Sequence, residues 1–172
     1  MPRLSFLVVL AAVLANVFAI VPAEQQEIVQ GVSSFSDNWR WETCGNPTDP
    51  IHIQSIEVSP DPPEKGADLT VTVRGVADKA VEEGAYADVT VKVGAIKLLH
   101  KEFDVCEEAR NANVDLACPV TEGDHQVIHT VRLPKEIPAA LFSVNVQGYT
   151  VDDEDLLCLN LWIDFRKKFF SW

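Results

Sequence analysis

Four cysteines, Cys44, Cys106, Cys118 and Cys158, and four histidines, His52, His100, His125 and His129, carry the widest chemical range in this 172-residue chain. Groups of these types could form a thiol–imidazole nucleophile, a redox pair or a zinc site. Each of those chemistries needs a spacing that this sequence lacks. It has no Cys-x-x-Cys, its histidines are scattered, and it contains neither a Gly-x-Ser-x-Gly turn nor a phosphate-cradling glycine loop. Twenty-six acidic residues offer acid–base groups, but no pair of them is singled out by spacing. The expectation is therefore a protein that is not an enzyme and that holds no metal and no cofactor, with its cysteines serving as structural staples.

Disulfides need an oxidising compartment, and the N-terminus supplies a route to one. Met1 to Ala23 has the form of a secretory signal peptide: Arg3 is its one charge, Leu4 to Ile20 is almost wholly apolar, and small residues follow at Ala19 and Ala23. The apolar run is short for a membrane anchor and no basic stop-transfer cluster follows it. The mature chain is expected in the secretory pathway, either in a vacuole- or lysosome-like lumen or secreted. Its net charge of −12 makes it a poor partner for nucleic acid. A pI near 4.6 raises a second expectation, that repulsion from anionic membranes fades in an acidic lumen. The Asn-x-Ser/Thr pattern fails at Asn46, which Pro47 follows, so N-glycosylation is not expected.

The elements that must position these residues are strands. Residues 24–37 are polar and lack a clear period, which suggests a pro-segment or flexible lead-in; residues 38–172 form one domain. Alternation marks strands at 51–58, 69–74, 88–93, 96–105, 126–133, 142–147 and 157–165. A phase slip near Ser55 and a glycine at Gly148 suggest bulges. Pro60, Pro62, Pro63 and Gly66 force a turn. Glu107–Asn111 is expected to make one helical turn, and Lys79–Glu83 is a weaker helical candidate. About seven half-polar strands predict an all-β, immunoglobulin-like sandwich of two antiparallel sheets. Of three cysteine pairings, a local Cys106–Cys118 bridge is the natural choice, which leaves Cys44 to tie the domain's start to Cys158 in the last strand. Chain entropy assigns these bridges roughly 3 and roughly 5 kcal/mol as upper values.

Trp41-x-x-Cys44-Gly45, Ile53-Gln-Ser-Ile56, Pro60-Asp-Pro-Pro63 with Gly66, Val105-Cys106, Cys118-Pro119 and a cysteine in the last strand form an ordered set over residues 38–172. In that order the chain resembles the MD-2-related lipid-recognition (ML) family, and within it the fungal phosphatidylglycerol/phosphatidylinositol transfer proteins and their Niemann-Pick type C2-like relatives. The resemblance implies two sheets that splay apart around a lipid, and the pairings Cys44–Cys158 and Cys106–Cys118. It also implies a soluble monomer that carries phospholipid, and sterol as a second cargo, between membranes that it contacts transiently. The alternative is a secreted module that presents lipid to a membrane receptor. Animal members carry a further bridge near the N-terminus that has no cysteine pair here.

A carrier of this kind needs a continuous apolar interior, since each buried acyl CH₂ contributes about 0.8 kcal/mol. The expected lining is Val71, Val73, Val89, Val91, Val131, Leu133, Phe142, Val144, Val146, Leu159, Leu161 and Ile163, with Phe103 and Tyr149 at its margins. The same pattern would serve a packed core equally well, and alternation alone does not separate the two. Trp162 falls on the polar phase of its strand and is expected on an outer face if it does not floor the pocket. His125 and His129 share a phase expected to face solvent or to titrate in an acidic lumen. The Cys106–Cys118 loop is expected as a rim near the pocket mouth. The C-terminal Phe165-Arg-Lys-Lys-Phe-Phe-Ser-Trp172 mixes cations with aromatics, a composition suited either to a membrane interface or to packing on the sandwich.

Overall fold

A computed structural model describes residues 33–36, 38–112 and 114–166. The leader, most of the lead-in and the tail beyond Arg166 lie outside the described residues, so the expectations placed on them find no counterpart here. Among the described residues there are nine strands: β1 (Ser33–Phe35), β2 (Trp39–Thr43), β3 (Ile51–Ser59), β4 (Asp68–Ala77), β5 (Tyr86–Val93), β6 (Ile96–Asp104), β7 (Gly123–Arg132), β8 (Leu141–Tyr149) and β9 (Asp155–Asp164). They form a six-stranded sheet in the order β1-β2-β9-β8-β5-β6 and a three-stranded sheet in the order β3-β4-β7, with every pairing antiparallel.

The expected strands are all found, generally a residue or two longer. Two more precede them. β2 is a five-residue alternation, with Trp39 and Trp41 buried and Arg40 and Glu42 exposed. β1 falls inside the stretch read as lead-in and pairs with β2. Register shifts occur between Ile53 and Ser55, and between Gly148 and Tyr149, at the two places where bulges are expected. The short helix α1 (Val105–Asn111) starts where Asp104 accepts a 2.7 Å hydrogen bond from the Glu107 amide, an N-cap that satisfies one of the free first-turn donors. Lys79–Glu83 is not helical. Val81 instead makes an antiparallel bridge to Val120, with both backbone hydrogen bonds at 2.9 Å, because an apolar side chain there is worth more buried than held in an exposed turn.

Among the described residues, full burial gathers mainly in two clusters, with Leu69, Ala77, Cys106 and Asp49 buried outside them. Trp39, Trp41 and Ile56 close one edge of the sandwich, where β3 lies against β1 and β9. Val81, Ala85, Val120 and Leu156 close one end, below α1. Both bridges expected from the cysteine frame are formed, Cys44–Cys158 and Cys106–Cys118.

Candidate functional site

Residues paired directly across antiparallel strands share a face, so the register fixes which side chains look between the sheets. On the six-stranded sheet the rows Leu159–Val146–Val89 and Leu161–Val144–Val91 run across β9, β8 and β5, and Ile163–Phe142–Val93 closes the series. Trp39 and Trp41 continue the last two rows on β2, which sets this face inward, toward Ile56. On the three-stranded sheet, Ile56–Val73–Val127 and Leu69–Val131 line the facing surface, with Val58–Val71 between them. Leu133, just past β7, is tied to β4's entry by its amide bond to the Ala67 carbonyl. Phe103 follows on β6, paired with Ala87.

The burial of these residues is the informative quantity. Val71, Val73, Val89, Val91, Phe103, Leu133, Phe142, Val144, Val146, Leu159, Leu161 and Ile163 are half-buried, and Val131 is exposed. Protein interiors pack at crystal density, and the central strands of a closed sandwich would bury such side chains. Here they retain accessible surface on the inward faces, including those on the central strands β4, β5, β8 and β9. Val58, Val71, Val73, Leu159, Leu161 and Ile163 pack against the Trp39–Trp41–Ile56 cluster, and the inward side chains away from that edge and from the α1 end are not fully covered by the facing sheet.

Several expectations are corrected. Tyr149 does not join the inward set. The extra residue at the bulge near Gly148 is Leu156 on β9, so Tyr149 keeps the outward phase of Gln147. There its hydroxyl donates to Gln147 Oε1 at 2.9 Å and its ring stacks on Tyr86 at 5.2 Å. The Cys106–Cys118 bridge is at the closed end, where Cys118 packs on the Val81–Leu156 cluster; it is not a rim beside the opening. His125 and His129 occupy the inward phase of β7 with Val127, and both are half-buried. Trp162 does lie outward, beneath the Arg40 guanidinium at 4.3 Å. The Cys44–Cys158 bridge is also outward, beside Asn145, which leaves the inner face free of cross-links.

Comparison with known proteins fits this geometry. Residues 38–165 match the sequence profile of the ML domain. The chain belongs to the ML domain family. A phosphatidylglycerol/phosphatidylinositol transfer protein of Cryptococcus neoformans var. neoformans serotype D is 59% identical over 132 residues, covering 77% of this chain and 73% of that protein. One from Mycosarcoma maydis is 47% identical over 127 residues, covering 74% and 66%. Among solved structures, a Niemann-Pick type C2 protein from Japanese carpenter ant superposes with a TM-score of 0.55 at 16% identity, over 72% of this chain and 97% of that one. Chicken MD-1 complexed with lipid IVa gives 0.58 at 12% identity, over 78% and 98%. At these identities the two structures speak for the fold alone.

Within this ML domain, sequence reasoning overlooked one polar residue on the inner faces. Lys101 pairs with Val89 on the edge strand β6, on the same face as Phe103, and its Nζ sits 4.4 Å from the Phe103 ring centroid. The signal was available: once Phe103 is placed inward, period two places Lys101 there too. Among the described residues, the one grouping with metal-ligand spacing joins Glu83 to Cys106 and Cys118, and those two sulfurs are bonded to each other.

Proposed function

We propose that this protein is a soluble carrier that shields the acyl part of a phospholipid between its two sheets and moves it from one membrane to another. The observation that carries this reading is the pair of inward apolar faces, half-buried between two closed boundaries. Space bounded by valine, leucine and phenylalanine on two sides excludes charge and accepts acyl chain, without any covalent chemistry. The names of relatives at 59% and 47% identity support phosphatidylglycerol or phosphatidylinositol as cargo. Lys101, on the inner face of an edge strand, supplies a cation for an anionic head group while the chains lie deeper. Sterol would fill the same apolar space as a second cargo. The working place is the lumen of the secretory pathway, in keeping with the leader and both disulfides.

Mass spectrometry of lipid co-purified with the mature chain, followed by transfer between labelled vesicles, tests the reading. Bound anionic phospholipid with transfer is the expected result. Lys101→Gln should lower phosphatidylglycerol transfer about five- to tenfold and leave phosphatidylcholine transfer unchanged. Lipid bound without transfer would replace the carrier by a module that presents lipid to a receptor. A chain that binds no lipid would end the proposal.

A further inference from the structure

The end of the sandwich opposite α1 carries an exposed apolar surface that a packed sandwich does not need. The β5–β6 hairpin turns there through Gly94, whose φ is +56°, and Ala95, and a side chain added at Gly94 would meet nothing within 4 Å. The tip therefore projects clear of the rest of the molecule. Just past it stand Ile96, 66% exposed, Leu98, 54% exposed, and Leu99, 41% exposed. Leu98 is the extra residue of a bulge, since Val91 pairs with Leu99 and Lys92 with Lys97. A bulge on an edge strand blocks pairing with another strand, so this edge is shaped against β-augmentation by a partner chain. Leu141, 39% exposed, starts β8 at the same end, next to β5 through the Phe142–Val93 pair.

Charge selects the occupant. From Val89 to Lys101 the chain has Lys92, Lys97, Lys101 and His100 and no acidic residue, although the protein as a whole carries −12. Glu82, Glu83, Glu107, Glu108, Asp152 and Asp153 lie at the α1 end, around the Val81 cluster and the β8–β9 turn. Of the carboxylates at the hairpin end, Asp68 and Asp164 are ion-paired with Arg132 and Arg166, while Asp61, Glu64 and Glu136 lie on neighbouring turns that also carry Lys65 and Lys135. With a Debye length of about 8 Å at physiological salt, an anionic surface touching the hairpin is governed by these lysines and is screened from the acidic far end. Exposed isoleucine and leucine flanked by lysine suit the boundary between head groups and acyl chains.

We infer that the β5–β6 hairpin, through Ile96, Leu98 and Leu99 with Lys92 and Lys97, is the surface by which this protein docks on an anionic lipid bilayer. The inference rests on the carrier reading only for its purpose. It turns the open end of the sandwich, beside the inward faces of Phe142 and Val131, toward the membrane from which cargo would come.

Vesicle binding is measured apart from lipid loading, so each idea can fail alone. The mature chain should co-sediment with vesicles containing phosphatidylglycerol, and do so less as salt rises from about 0.05 to about 0.5 M. Lys92→Gln/Lys97→Gln should weaken that binding about thirtyfold, and Ile96→Asp/Leu98→Asp should abolish it. Both variants should keep their thermal unfolding midpoint and their lipid loading from detergent micelles. A polarity-sensitive dye on Leu98→Cys should shift to the blue with anionic vesicles, whereas the same dye on Val151→Cys, also exposed but at the far end, should not. Equal binding to pure phosphatidylcholine vesicles, wild-type binding by the variants, or equal shifts at both dye positions would overturn the inference. So would a dimer that these variants dissociate while vesicle binding persists, because the patch would then be a self-contact. Loss of loading in the wild-type chain with vesicle binding intact would count against the carrier and leave the docking surface standing.

Discussion

At the residue scale, the outer face of the large sheet shows how local partners set chemistry. Tyr86 donates a 2.6 Å hydrogen bond to Asp153 Oδ1. That bond favours the neutral phenol; partial desolvation and the negative charges of Asp153, Glu102 and Asp88 add to it, so the phenol is pushed up to about 12. The folded pKa is raised, so the linked stability is fully present below the unfolded value near 10 and is lost as pH rises toward 12. Ultraviolet titration should resolve a late phenolate for Tyr86, and Asp153→Asn should bring it back toward 10. An unchanged late transition in that variant would mean that the hydrogen bond is not its cause. Much of this scale was readable in advance. Period two placed Val89, Val91, Val144, Val146, Leu159 and Leu161 on shared faces, and the register confirms that sharing. It failed for Tyr149, because a glycine marks where a bulge is tolerated and does not say which of two strands holds the extra residue. For His125 and His129 the period was right and the solvent-facing reading was not: both share the inward phase of Val127 and Val131, and an incompletely covered face does not demand that every inward group be apolar.

At the element scale, β8 is the central test. It lies between β5 and β9 and turns Phe142, Val144 and Val146 inward. In a close-packed core, enlarging Val144 would cost about 1–3 kcal/mol. In this sandwich Val144 is half-buried, so Val144→Phe should shift urea unfolding of the lipid-free protein by less than about 1 kcal/mol and still lower the amount of co-purified lipid. A large loss of stability would show instead that β8 packs directly against the small sheet. β1 and β2 are the elements least visible in the sequence. β2 alternates for five residues only, and the three residues of β1 gain their strand character from pairing with β2, a tertiary event.

For the whole molecule, the two bridges and the two buried clusters allow the sheets to stand apart. Cys44–Cys158 spans 114 residues and joins β2's exit to β9 on the outer face. Replacing both cysteines by alanine should cost about 2–5 kcal/mol in urea unfolding, with lipid loading retained at temperatures where the variant is folded. Loading lost from the folded variant would mean that the bridge shapes the interior as well as tying its outer wall. The sequence by itself determined seven of the nine described strands, most of the faces they share, the two pairings of the cysteine frame and the family. These follow from period-two alternation, from turn chemistry and from motif order, all of them properties of short stretches or of their succession. Only the tertiary structure decided that the inward faces are incompletely covered, that Cys106–Cys118 staples the α1 end, and that the β5–β6 hairpin stands exposed at the other. Sheet separation is set by residues distant in sequence, with Trp39 and Trp41 meeting Ile56 at one edge and Val81 meeting Val120 and Leu156 at one end. An alternating strand has the same pattern whether its partner surface lies against it or a lipid's width away.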